Sequence, residues 1–188
     1  MIWIIYAPLQ LVCTVLCYLT NWLVVFFADN NGELPGVLRL WQTWDDTLDN
    51  KTDIGRMPSF LQYDWDAHYL QGKVTEEGQI RYVEQLVKPF TLMERIKRYF
   101  CRCHWLYRNC AYGFAFYVFG RKVTPPIKQT VGKDWYFCHQ GFTWAFKCSS
   151  EIKNGWRWKI YLGWKIQRSL DNEHRAMIAN RLWFSKPI

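Results

Sequence analysis

The sequence predicts an α+β fold: a long apolar N-terminal helix, an irregular Trp/Asp-rich segment, one amphipathic helix and a C-terminal antiparallel β-meander. Three observations carry that expectation. Residues 2–27 contain no charged side chain. Residues 83–107 place Leu86, Phe90, Met93, Ile96, Lys97 and Phe100 near helical period, and from Ala111 onward the period switches to two. The corresponding domain boundaries are 1–28, 29–80 and 81–188.

The first element would extend about 39 Å as a helix, enough to cross the roughly 30 Å hydrocarbon layer of a bilayer. Within it Trp3, Ala7, Gln10, Thr14, Cys17, Asn21, Val24 and Ala28 recur at alternating spacings of four and three, a heptad seam whose middle is small or polar. Gln10, Thr14, Cys17 and Asn21 are therefore expected at a helix–helix contact, in lipid or inside a large assembly, ahead of the alternative of a core helix within the same chain, which offers little to cover so long an apolar cylinder. Asp29-Asn30-Asn31-Gly32 ends the helix, and Pro35 confirms the break.

Residues 36–80 read as irregular, with aromatic side chains spread among Asp, Gly and Pro. Residues 83–107 read as a helix kinked or bounded at Pro89. The strands follow. Trp156, Trp158, Ile160, Leu162, Trp164 and Ile166 alternate with Arg157, Lys159, Tyr161, Gly163, Lys165 and Gln167. This predicts Trp144, Trp156, Trp158 and Trp164 in the core and Arg157, Lys159 and Lys165 on a basic surface. Residues 112–119, 135–139, 142–148 and 181–185 read as further strands, the turns at 139–141 and 153–155 suit hairpins, and the helix is expected to pack on one sheet face.

Half of the residues are hydrophobic and 19% are aromatic, which argues against a disordered chain. The net charge of +8 conceals a division: residues 1–80 carry 4 Lys/Arg against 10 Asp/Glu, and residues 81–188 carry 20 against 6. Such asymmetry implies an anionic partner for the basic part, or an acidic neighbour. The aromatics of the 156–167 strand lie opposite its cations, so any nucleic-acid contact would be non-specific.

The acidic stretch supplies Asp45, Asp49 and Asp53, oxygen ligands that a hard cation prefers, but no Gly stands at the sixth loop position and Arg56 replaces the expected bidentate Glu. Metal is not expected there; these three residues are the nearest candidates. Cys101, Cys103, His104, Cys110, Cys138, His139 and Cys148 lack zinc spacing, because Cys101 and Cys103 would point about 200° apart on a helix. No nucleophile elbow, phosphate loop, HExxH or dinucleotide fingerprint is present. Asp64 and His68 read as a surface turn. A non-enzyme without a cofactor is expected.

Leu38-Arg39-Leu40-Trp41-Gln42-Thr43-Trp44-Asp45-Asp46-Thr47-Leu48-Asp49, then Trp105-Leu106-Tyr107-Arg108-Asn109-Cys110-Ala111-Tyr112-Gly113-Phe114, and the late Leu162-Gly163-Trp164-Lys165-Ile166 resemble an uncharacterised family of small tailed-bacteriophage proteins. Cys110 stands where that family has Pro, and Asn50-Lys51 replaces a Gly-Asp pairing. The resemblance implies a virion-associated structural protein of the tail or head–tail region, encoded near virion genes. Its partners would be other phage structural proteins and copies of itself. Its helix would pack in the particle or enter the host inner membrane during DNA ejection. The alternatives are a phage-encoded host-membrane protein outside the virion and a basic nucleic-acid-binding accessory protein.

Overall fold

The computed structural model describes residues 2–49, 51–76, 79–153, 155–166 and 174–185. Asn50 of the acidic loop, Asn154 of the second hairpin turn and Gln167 at the end of the predicted strand lie outside them. The fold is α+β. In chain order it contains α1 (Ile2–Val24), a short α2 (Lys51–Ile54), β1 (Tyr69–Glu76), β2 (Gln79–Leu86), α3 (Leu92–Arg108), β3 (Arg121–Val123), β4 (Lys128–Val131), β5 (Trp135–Gln140), β6 (Thr143–Lys153), β7 (Trp156–Trp164), β8 (His174–Ala176) and β9 (Ile178–Ser185).

The chain forms two compact units, which differ from the boundaries drawn on the sequence. One comprises Met1–Cys13 with Tyr112–Ile188, the other Thr14–Ala111. The uncharged α1 has no internal break, yet each half is packed by a different neighbour, so a division at residue 28 does not follow the packing.

In the first unit the main sheet has the order β4-β5-β6-β7-β9, all antiparallel, and β3 pairs with β8 beside it. Residues 114–118, read on the sequence as a strand, form a π-helical turn. Ala115 and Phe119 pack with Cys138, Ala145, Trp164 and Ile178 in this unit's core. Within this unit the helical elements on the sheet core are this short turn and the first half of α1, whose Ile2, Trp3 and Tyr6 pack there; α3, the helix expected on the sheet, belongs to the other unit. The turn was read as a strand because a stretch of mostly aromatic residues fits either conformation.

Gly163 permits the bend of β7. Its φ is +92°, and a Cβ there would fall 2.1 Å from the Trp144 carbonyl oxygen. The strand closes on Trp164, fully buried, whose Nε1 donates to the Phe119 carbonyl at 3.0 Å.

In the second unit β1 and β2 form a hairpin within the segments read as irregular and helical. The helical period of residues 83–107 thus begins too early. Pro89 and the Thr91–Glu94 capping box delay α3 to Leu92: the Thr91 hydroxyl accepts from the Glu94 N–H while the Glu94 carboxylate accepts from the Thr91 N–H.

Candidate functional site

The α1 seam is buried against its own chain. Ala7, Gln10, Cys17, Asn21 and Val24 are buried, and Trp3 and Thr14 half-buried. In the first unit Trp3 Nε1 donates to the Ala179 carbonyl at 3.3 Å, Asn180 Nδ2 donates to the Ala7 carbonyl at 3.1 Å, and Trp3 and Trp144 lie 5.4 Å apart. In the second unit Asn21 Nδ2 donates to Cys110 Sγ at 3.9 Å, Cys110 Sγ donates to the Thr14 carbonyl at 3.4 Å, and Tyr99 Oη donates to the Trp22 carbonyl at 2.8 Å. Gln10, Thr14, Cys17 and Asn21 therefore face the chain's own strands and helix, a correction to the expected contact with partner helices. The physical reason is that a domain of this size covers one side of a long helix, though not all of it.

The other side is uncovered. Ile4, Ile5, Leu9, Leu11 and Val12 are exposed in the first unit, and Leu16, Leu19, Trp22, Leu23, Phe26 and Phe27 in the second. There α3 runs antiparallel to α1, with Phe26 beside Tyr99 at 4.8 Å and Tyr18 stacked on Tyr107 at 5.9 Å. It adds Met93, Ile96 and Phe100 to the exposed apolar surface. These are residues of the periodic stripe that marked α3 in the sequence; the helix turns them outward and buries Arg98, Cys101, Arg102, Trp105 and Leu106. Beside this surface lies a 380 Å³ cleft lined by Val25, Phe26, Ala28, Arg95, Ile96, Arg98, Tyr99 and Arg102.

The buried arginines explain the inversion. Asp49 accepts from Arg98 through Nε at 3.0 Å and Nη2 at 2.5 Å, and from Arg102 through Nε at 2.8 Å and Nη2 at 2.6 Å. Tyr69 Oη donates to the same carboxylate at 2.9 Å. Nη2 of each arginine also reaches main chain, Arg98 Nη2 donating to the Asn30 carbonyl at 2.6 Å and Arg102 Nη2 to that of Asp29 at 3.0 Å, and Arg98 Nη2 donates to Tyr69 Oη at 2.6 Å. Burial pushes the Asp49 carboxyl upward, but the hydrogen bonds and charges of Arg102 and Arg98 outweigh it and hold the pKa below its ordinary value. A carboxylate saturated in this way positions α3 against the acidic loop; it offers no lone pair for proton transfer. Gly32 completes the fit, since at φ +78° a Cβ would fall 2.7 Å from Asp49 Oδ2.

The acidic loop is thus an anchor for arginines. Asp53 is buried and pairs with Arg108 and, at 3.6 Å, with Arg56, while Asp45 is exposed. Asp49 and Asp53 are occupied by the protein's own cations, which corrects their standing as candidate metal ligands. Among the described residues no group of three His, Cys, Asp or Glu side chains could hold a metal ion. None of the seven cysteines is in a disulfide, and burial, reinforced by Asp49 and Asp53, pushes the Cys101 thiol up to about 11. His68 is a buried residue, not a surface one: Nε2 lies 3.1 Å from Glu94 and Nδ1 3.1 Å from the Lys88 carbonyl. An arginine pair at i and i+4 within α3 was the available signal for this cluster.

The sheet presents a second uncovered surface. Register places Trp135, Cys148, Ile160 and Leu182 in one cross-strand row, with Phe137, Phe146, Leu162 and Asn180 in the next. Ser150, Trp158 and Phe184 form a third row on the same face. Trp135, Leu182 and Phe184 are exposed, as is Trp156 at 47%, and Trp158 is half-buried. Of the four tryptophans expected in the core, Trp164 is enclosed and Trp144 packs partly buried against that core, but Trp156 and Trp158 do not join it. Period two sorts the faces of a strand; it does not say whether another layer covers either face. Arg157 and Lys159 lie on the opposite face, exposed and half-buried respectively. Lys165, expected on the surface, is half-buried with Nζ donating to Tyr112 Oη at 3.3 Å.

Residues 1–187 match the family of unknown function DUF7338. The chain belongs to that family. No curated protein and no solved structure matches it, so DUF7338 membership leaves the uncovered apolar faces as the features that bear on function.

Proposed function

We propose that this chain is a non-enzymatic structural protein whose α1 outer face is its docking surface, in a virion of the tailed-phage kind at the tail or head–tail region. The single observation that carries this reading is the two-sided α1: its seam is engaged by the same chain, while its outer side and the α3 stripe leave large apolar side chains in solvent. Soluble monomers rarely leave so many large apolar side chains of one helix in solvent, and burial by neighbouring subunits removes the cost. The phage setting rests on the resemblance of the stretches at 38–49, 105–114 and 162–166 to small tailed-bacteriophage proteins.

Contact with the host membrane is the second reading, favoured by the length and composition of Ile2–Phe27, which suffice to cross a bilayer. A lone spanning helix would strip Asn21 and Gln10 of their protein surroundings. Insertion by the outer face alone, in the plane of the interface, leaves the seam in place.

The test is mass spectrometry of purified particles from a phage encoding the chain, with wild type and the triple variant L9S/L16S/L23S. Wild type is expected at stoichiometric level in the particle, and the folded variant is expected to be lost from it. Absence of the wild-type chain from particles removes the virion reading.

A further inference from the structure

We propose that the aromatic face of the five-stranded sheet is an interface between two copies of this chain. It is a different surface from the outer face of α1 and stands whatever covers that helix. The charge distribution selects the occupant. A face that stacked nucleic-acid bases would interleave its aromatics with cations that follow the phosphates, and an anionic bilayer would need cations at the rim. Among the described side chains of this face the cation is Lys128, on the edge strand β4; Arg157, Lys159 and Arg181 point from the other side of the sheet. A face whose described central rows carry no charge, with Lys128 at the edge strand, meets its own copy without burying like charges at its centre, and a two-fold axis requires such self-complementarity.

The area fits as well. Trp135, Trp156, Leu182 and Phe184 are 41%, 47%, 63% and 60% exposed, with half-buried Phe137, Phe146, Trp158, Ile160 and Leu162 between them. With large side chains carrying roughly 150–250 Å² each, the face offers roughly 600 Å² per copy. Two copies then bury about 1,200 Å², the lower bound of a stable, specific interface. Two pleated faces packed about 10 Å apart would interdigitate these rows as in a β-sandwich. Cys148, half-buried in the middle row, gives a native reporter.

The experiment is sedimentation of the full chain in mild non-ionic detergent, which covers α1, beside the variants L182E/F184E and W156S and the helix variant L9S/L16S/L23S. Wild type is expected as two copies. L182E/F184E, with unchanged circular dichroism, is expected as one, its dissociation constant raised roughly 100-fold or more. W156S, which adds no charge, should weaken association in the same direction. Maleimide should alkylate Cys148 roughly tenfold more slowly in the wild-type dimer than in L182E/F184E, following the fraction dissociated. The helix variant should remain two copies. A wild-type monomer at tens of micromolar, a dimer that survives L182E/F184E, or a dimer lost only in the helix variant would each overturn the proposal. A monomer that binds neutral vesicles through Leu182 and Phe184 would overturn it in favour of lipid.

Discussion

Asp49 is the residue on which the second unit turns. One carboxylate receives two guanidinium groups and a phenol, and removing it leaves two buried cations facing each other. Asp49→Ala should therefore lower stability by about 3–5 kcal/mol, measured by urea denaturation. The pH dependence follows from the direction of the shift. With its pKa below the ordinary 3.8 in the folded chain, Asp49 binds protons less readily folded than unfolded. Its contribution is present above the unfolded value, near pH 4, and is lost as pH falls through the lowered folded value. Urea midpoints followed from pH 6 to pH 2.5 should fall more steeply for wild type than for Asp49→Asn; parallel curves would contradict the assignment.

At the scale of elements, α1 and β7 each carry a testable asymmetry. Cys17 is fully buried and Leu16 is 44% exposed. Cys17→Phe overfills the seam and should cost about 1–3 kcal/mol, whereas Leu16→Ser should change stability by no more than about 0.5 kcal/mol. Equal effects would show that the helix is not two-sided. In β7, Gly163→Ala combines a left-handed backbone with a Cβ placed against the Trp144 carbonyl. The expected loss is about 3 kcal/mol or more, and a neutral result in thermal melts would mean the strand path is different. Both elements were legible in the sequence as elements, one by its unbroken apolar run and the other by strict alternation. What covers them was not, because periodicity measures the contrast between two faces and α3 buries its arginines while exposing Met93, Ile96 and Phe100.

For the whole molecule, the charge division of 4 against 10 and 20 against 6 has a partly internal destination. Asp49 and Asp53, from the acidic part, are paired with Arg98, Arg102 and Arg108 from the basic part of the same chain. The cations left to partners include Arg157 and Lys159 on the sheet face opposite the aromatics. Binding of arbitrary duplex DNA should consequently be no tighter than micromolar at physiological salt. Arg157→Ala with Lys159→Ala should flatten its log–log salt dependence by about 1.8, while Trp158→Leu should leave the slope unchanged. Fluorescence anisotropy against salt checks both, and nanomolar, Trp158-dependent binding would reassign the aromatic face to nucleic acid.

By itself the sequence determined the α+β class, the uncharged first helix with its polar seam, and the existence of the strands read at 135–139, 142–148 and 156–167, which fold as 135–140, 143–153 and 156–164, since each is written in local period and composition. The hairpin of β1 and β2 and the π-helical turn at 114–118 escaped it, because their patterns suit more than one conformation and long-range packing decides among them. Only the tertiary structure decided which face is inside. The seam of α1 meets its own chain, Asp49 meets arginines of α3 that lie 49 and 53 residues away, and the tryptophan face of the sheet stays open. Burial is a property of what lies opposite a side chain, and that neighbour is chosen by the fold of the whole chain, not by the residues beside it in sequence.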